Sequence, residues 1–597
     1  MGNNNPGADL DSFTSSEKRR IYILETYLYM LSDASKGLYP RPNKVNLLET
    51  SFEIAESIRG SKVKQAINDW STRIATGNEA LTDLVRREQD SKKQIAALQS
   101  VLLNAFSQKT QNNQVISELQ SNIDNLSSAR ESIISEISKR FPGYTSLTRP
   151  KPATIINIEN HLLPDEALIS IYVAKNRSYV WVISGNSSRS FNSIDISEKA
   201  VSEIINSLRK GLIPKSGDLG GLPDFDVKLS NQLYQIFLQP TEHGWKNATH
   251  LIFVTNGPFG YFPPGLFVTK ETEIEKSNSL LLSEYRKVDW LIRDHSITIV
   301  PTSDVFSILR TTGSNTNRAI SFAGFGDPVF SQQQLNKQIT TSNKSHSLRG
   351  SPNGPGNEIV LKTRGVRIIE NSTLDDRTLQ SVTLQDLQPL PDTRDEILEI
   401  AATLNTSDNT DVFLGTEANE SLLRKLDLSN KRYLVFATHG LIPGDLDGLM
   451  EPALALSSPL LLGDSQNDGL LTMGEIMSLR LNADWVVLSA CNTAAADGSG
   501  AEAASGLGRA FFYAGTRAIL LSNWPVETQS AKMLTTDLFR RQINNQNLSR
   551  SQALQKSMLN LIDNTVYRDE ITNTPIFAYA HPIFWAPFTL FGDGGRQ

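Results

Sequence analysis

From residue 316 onward, short apolar runs alternate with helix-like stretches, and this alternation is what most narrows the fold. The runs include "RYLVFATHG", "DWVVLSAC", "RAILLSNWPV" and "IFWAPFTLFG". Between them lie "TRDEILEIAATLN", "NESLLRKLDL", "TMGEIMSLR", "AASGLGRAFFYAG" and a long helix expected over about 527 to 561. A strand apolar at every position, rather than at every second one, is buried on both faces, which implies a mainly parallel sheet flanked by helices. The same alternation occupies 151–315, with runs in "EALISIYVAK", "SYVWVIS", "THLIFVTNG" and "HSITIVPT". Two α/β domains, 151–315 and 316–597, are therefore expected. The pattern leaves strand order open.

Upstream, residues 15–150 read as helical, with apolar residues three and four apart and charged residues on the other face. The last two segments, "NEALTDLVRREQDSKKQIAALQSVLLNAF" and "NNQVISELQSNIDNLSSARESIISEISKRF", suggest a long antiparallel pair. Such a pair serves as a scaffold or as an arm that binds a partner. Residues 1–14 read as a disordered leader. Residues 331–358, polar and broken by Gly and Pro, read as a mobile insertion, because so few apolar groups cannot offset the entropy of ordering them.

Charge and composition exclude several classes. With 58 Lys+Arg against 64 Asp+Glu the net charge is −6, so no basic face for nucleic acid is expected. No apolar run approaches the length of a membrane span, and no signal segment opens the chain. One cysteine in 597 residues cannot form an internal disulfide, which favours the cytoplasm. It also rules out a metal site built on several thiolates, and no metal or cofactor is expected. A G-x-S-x-G elbow, a phosphate-binding G-x-x-x-x-G-K-[ST] loop and an H-E-x-x-H helix are all missing.

Two of the apolar runs end in reactive groups. His439 follows "YLVFAT" and Cys491 follows "WVVLSA", 52 residues later. In open α/β sheets ligand-binding loops gather at the carboxyl ends of strands. If the two strands are neighbours, imidazole and thiol meet there. A thiolate is the nucleophile, and a nearby imidazole protonates a leaving amine. Gly440, lacking Cβ, allows its backbone N–H to turn towards a reacting carbonyl. With the Cys491 N–H it would form an oxyanion hole, worth roughly 3–4 kcal/mol per donor. The plainer alternatives are an inert core thiol and a histidine that caps a strand.

These residues resemble the CHAT family, caspase-like cysteine proteases of the clan that contains caspases, separase, gingipains and metacaspases. The resemblance rests on "FATHG", "LSACNTA", "GLGRAFFYAGTRAILLSNWPV" and "HPIFWAPFTLFGD". Weaker matches are "NGPFGYFPPGLF", "GFGDPVF" and "LPDTRDEI". It implies a His439–Cys491 dyad that hydrolyses a peptide bond in a protein substrate. It also implies two caspase-like folds in tandem, the first, 151–315, a pseudo-domain without the dyad. "FEIAESIRGSKVKQAI" resembles the end of a tetratricopeptide array, so upstream repeats are expected to be missing. An activating protein bound through the N-terminal helices is a further expectation, and a catalytically silent scaffold is the alternative.

The family carries an acid two residues after "WPV", where this chain has Thr528 beside Glu527. Asp327, Asp445, Asp447, Glu502 and Glu527 are then the candidate acids for a specificity pocket. Any of them buried there would favour Arg or Lys in the substrate. Lys344 and Arg349 in the insertion mark a possible self-processing site.

Overall fold

The computed structural model describes residues 15–38, 46–59, 79–107, 113–140, 153–214, 219–275, 280–311, 319–343, 364, 383–406, 411–443, 445–449, 451–464, 466–490, 506–569 and 571–595. Two compact units divide the chain, Met1–Lys64 with Ala153–Gln597, and Gln65–Pro152.

Helices α1 (Ser15–Ser35) and α2 (Leu47–Ile58) belong to the larger unit. The smaller unit holds α3 (Glu79–Ser107) and α4 (Asn113–Arg140), packed on each other through Leu84, Val85, Ile133 and Ile137. Arg130 and Glu88, 2.6 Å apart, add an ion pair between them.

The larger unit is built on one sheet. Its first strands are β1 (Glu166–Val173), β2 (Ser178–Ser184), β3 (Arg189–Ile194), β4 (His250–Val254) and β5 (Ser296–Ile299). They are followed by β6 (Phe322–Gly326), β7 (Val412–Leu414), β8 (Tyr433–Ala437), β9 (Gly440–Leu441), β10 (Ala453–Ala455) and β11 (Leu470–Thr472). Then come β12 (Trp485–Leu488), β13 (Ala518–Ser522), β14 (Val566–Arg568), β15 (Pro575–Ala578) and β16 (Phe588–Gly592). Eleven strands join in the order β3-β2-β1-β4-β5-β16-β13-β12-β8-β6-β7, so the stretches 151–315 and 316–597 share a continuous sheet. Strands β9, β10 and β11 form a small separate sheet next to the end of β8.

Direction reverses once between the two parallel sets. Strands β1, β4 and β5 run parallel to β16, which is antiparallel to β13. Strands β13, β12, β8, β6 and β7 are all parallel. The carboxyl ends of the first set therefore lie on the rim opposite those of the second.

Every residue of β8, β12 and β13 is buried, as their unbroken apolar sequences require. Each fully buried Val, Leu or Phe contributes about 1.5–3 kcal/mol. At β6 the strand is instead thinned by Gly324 and Gly326, over which α9 (Asp392–Thr403, numbered after four helices introduced below) is laid. A Cβ on Gly324 would stand 2.7 Å from Ile397 Cγ2, and one on Gly326 2.9 Å from Ile397 Cγ1. The glycines set how near that helix comes.

The intervening helices are α5 (Glu198–Lys210), α6 (Val227–Phe237), α7 (Ser303–Thr311) and α8 (Gln332–Asn343). Helix α8 lies inside 331–358, the stretch expected to be a mobile insertion. The remainder, with Lys344 and Arg349, is outside the described residues. Gln334 within α8 accepts from the Phe330 N–H and donates to the Leu387 carbonyl, a local anchor that the polar composition concealed.

After β12 come α10 (Gly506–Ala514), α11 (Thr528–Asn544) and α12 (Arg550–Asn564). The single long helix expected over 527–561 is thus two. The break falls at "NQNLS", where Ser549 caps α12 in a capping box with Gln552.

Helices α1 and α2 pack on the first half of the sheet. Leu28, Leu31, Phe52 and Ala55 join Tyr172, Tyr179 and Trp181 in one apolar cluster. Arg177 binds Asp33 at 2.5 Å. Arg59 of the α2 end donates to the Ile171 carbonyl at 2.6 Å and the Val254 carbonyl at 3.4 Å, and Glu56 accepts from the Ser303 N–H at 2.9 Å.

Candidate functional site

Strands β8 and β12 are neighbours, with Tyr433 opposite Trp485 and Phe436 opposite Leu488. The register offset is 52 residues, the same number that separates His439 from Cys491 in the sequence. Described residues on β12 continue to Ala490. The Ser489 N–H donates to the Phe436 carbonyl at 2.9 Å, and the Ser522 hydroxyl of β13 donates to the Ala490 carbonyl. The chain leading to Cys491 is therefore held from both sides. Cys491 itself and Glu502 lie outside the described residues.

His439 sits just past β8 and is 1 % exposed. Thr438 before it donates its hydroxyl to the Ala455 carbonyl at 2.5 Å, and the His439 carbonyl accepts from the Ala455 N–H at 3.0 Å. Gly440, the first residue of β9, is buried opposite Leu454. These bonds fix the imidazole on a rigid corner.

Both ring nitrogens face main-chain carbonyls, Nδ1 that of Arg364 at 2.7 Å and Nε2 that of Gln388 at 2.8 Å. A neutral imidazole carries one N–H, so it can donate to one of them only. Burial pushes the His439 pKa below its ordinary value. The two carbonyls oppose that, and the Arg364 charge adds to the depression. The ring of Phe330 covers one side, 5.6 Å between centroids.

Sequence reasoning missed the residues that converge on this imidazole. Arg364 is fully buried. Its N–H donates to the Val526 carbonyl at 3.1 Å, in the "NWPVE" segment after β13. Its Nη1 donates to the Ser489 carbonyl at 2.9 Å and to Ser489 Oγ at 2.5 Å, and Nη2 reaches the Thr528 carbonyl at 3.4 Å. Nη2 also lies 2.6 Å from Glu396 Oε2, an ion pair in contact rather than an aligned hydrogen bond. Neither partner of that pair is exposed to solvent.

Glu396 was legible in principle. The buried face of α9 consists of Thr393, Glu396, Ile397, Ile400 and Ala401, so an acid occupies the helix's apolar stripe. Acids are almost never fully buried unless paired.

The acids singled out from sequence have other partners. Asp327, left-handed at φ 50°, receives Arg394 Nε at 2.8 Å and Gln338 Nε2 at 3.0 Å, and burial raises its pKa to about 6. Asp445 accepts from the Ile442 N–H at 2.8 Å, and burial raises its pKa. Asp447 is exposed. Glu527 caps α11, accepting from the Gln529 and Ser530 N–H groups at 3.1 and 2.8 Å. Burial raises its pKa, with the Arg364 charge pulling the other way. Of the four described acids, Glu527 is thus the one within electrostatic reach of Arg364, but its oxygens serve the helix end. Asp327 thus ties α8 and α9 together through one oxygen, and Asp445 closes its own turn.

Among the described residues no cluster of His, Cys, Asp and Glu fits a metal ion. No helix is long and apolar enough to cross a membrane.

The chain belongs to the CHAT domain family, which matches residues 227–593. Among solved structures it is similar to the Saccharomyces cerevisiae separase–securin complex, at 11 % identity and TM-score 0.39 over 96 % of this chain and 40 % of that one. A second crystal structure of that complex gives 11 %, 0.38, 95 % and 41 %. The Arg-specific cysteine proteinase gingipain R follows at 9 % and 0.30, over 73 % of this chain and 78 % of that one. The chain spans about two fifths of the separase chains. No curated protein matches its sequence.

Proposed function

We propose that this chain is a cysteine endopeptidase acting on a protein substrate, with Cys491 as nucleophile and His439 as its acid–base partner. The observation that supports this reading is the shared offset of 52 residues, in the register of β8 with β12 and in the sequence between the two residues. The Cys491 thiol gives its proton to His439 as its sulfur attacks the scissile carbonyl carbon, and the negative charge on oxygen is received by the Gly440 and Cys491 N–H groups. As the C–N bond breaks, His439 gives its proton to the leaving amine and a thioester remains. Water then attacks the thioester, losing a proton to His439, and releases the acid and the thiol.

His439 is not free for this in the present state, since main-chain carbonyls face both nitrogens. The Gln388 carbonyl suits a lasting orienting role at Nε2. The Arg364 carbonyl must leave Nδ1 before a substrate amide takes its place, so activity requires a conformational step. A partner acting through the N-terminal helical region, in the cytoplasm, is the proposed trigger. The stretch 151–315 is the proposed pseudo-domain that completes the sheet.

The test is covalent labelling by a peptide carrying a thiol-reactive group, read by intact mass and peptide mapping. Adduct on Cys491 in the wild type, lost in His439→Ala, is the expected result. The same labelling in both variants means a merely accessible thiol. Absence of labelling in every state, including after deletion of the Arg364 side chain, leaves the chain a silent scaffold that binds partners.

A further inference from the structure

Arg364 presents three marks of a bound substrate residue at once. Its N–H pairs with the Val526 carbonyl in the segment that follows β13, a main-chain bond of the kind an extended peptide makes. Its carbonyl points at His439 Nδ1. Its guanidinium is fully buried against Ser489, Thr528 and Glu396. We infer that Glu396 selects a basic side chain at the substrate position just before the cut, and that Arg364 holds that position as the chain's own competitor. This rests on the peptidase reading above and names the substrate class of that same site.

Glu396 is oriented independently of Arg364. Its second oxygen accepts the Thr535 hydroxyl of α11 at 2.7 Å, and its helix is held near β6 by Gly324 and Gly326. When Arg364 departs, this carboxylate stays inside the core. A substrate that brings a guanidinium satisfies it, whereas a neutral or acidic side chain leaves it buried and unpaired. The contacts also separate Arg from Lys. Nη1 serves Ser489 while Nη2 serves Glu396 and Thr528, and a single ammonium cannot span both in that fork geometry.

The two roles predict opposite effects on hydrolysis of fluorogenic peptides that differ only in the residue before the cut, Arg, Lys, Leu, Met or Asp. Wild type prefers Arg. Arg364→Ala raises kcat/KM for every cleaved peptide, because the competitor is gone. Glu396→Gln lowers the ratio of kcat/KM for the Arg peptide over that for the Leu peptide by about thirtyfold or more, as loss of one partner of a buried charge pair does. The double variant Arg364→Ala/Glu396→Gln leaves no unpaired buried charge and so guards against misfolding. It should be faster than Glu396→Gln on Leu yet show no Arg preference. Preference for Leu, Met or Asp in wild type, or an equal loss on all peptides in the folded double variant, overturns the inference while sparing the peptidase. No hydrolysis of any peptide, with no adduct on Cys491 in Arg364→Ala, overturns both.

Discussion

Replacing Gly324 by Ala tests how α9 is placed, and through it how Glu396 is placed. The new Cβ would meet Phe322 Cζ at 2.5 Å, Ile397 Cγ2 at 2.7 Å and Phe322 Cε1 at 2.8 Å, all below the limit of real contacts. Overpacking of this kind costs about 1–3 kcal/mol. Loss of glycine freedom in the unfolded chain returns about 0.4–1 kcal/mol, so a net destabilisation of ~1–2 kcal/mol is expected. Ile397→Ala alone removes a fully buried side chain and should cost about 2–5 kcal/mol. In the double variant one clash has disappeared, so the costs should fall short of additivity by about 0.5–2 kcal/mol. Urea unfolding of the four proteins, followed by fluorescence of the buried tryptophans, measures this cycle. Costs that add to within about 0.3 kcal/mol would refute the claim that glycine at 324 exists to admit Ile397 and its helix.

Two further outcomes concern protons. Asp327 has its pKa raised from 3.8 to about 6, so the native state holds a proton that the unfolded chain releases earlier. Wild type should therefore lose stability as pH rises from about 4 to 6, relative to Asp327→Asn, by up to ~3 kcal/mol in all, and melting curves across that range check it. Burial and the Arg364 charge depress His439, and Arg364→Ala removes the charge while keeping the carbonyl. The acid limb of kcat/KM against pH, measured on a Leu peptide, should lie below the ordinary histidine range in wild type and move upward in the variant.

The central strands were legible because they are apolar at every position, and a strand sealed on both faces has few other solutions. The positions of His439 and Cys491 at run ends followed from the same pattern. Pairing of β8 with β12 was conditional in the sequence, since nothing local dictates strand order. Polar composition concealed α8, whose Gln334 anchors to distant main chain rather than to an apolar core. Of the acids chosen for the pocket, Asp327, Asp445 and Glu527 bind Arg394, the Ile442 N–H and the start of α11, and Asp447 is exposed. Glu396 announced itself differently, as a charge where α9 should have been apolar. Arg364 gave no sign, because its role arises wholly from contacts with residues 32 or more positions away along the chain.

The reversal of strand direction between β16 and β13 gives the two parallel sets of the larger unit opposite rims for their carboxyl ends. One is stoppered by Arg364 with Glu396, the other by Arg59 with Glu56, which reach the ends of β1 and β4 and the start of α7. The first stopper hangs on a stretch between β6 and β7, whereas the second is welded into α2 and its apolar cluster. Pulling on the N-terminal helices would thus unseat the far plug before anything is felt at His439, and the signal would have to pass from β4 through β5, β16, β13 and β12 to β8 rather than through a hinge.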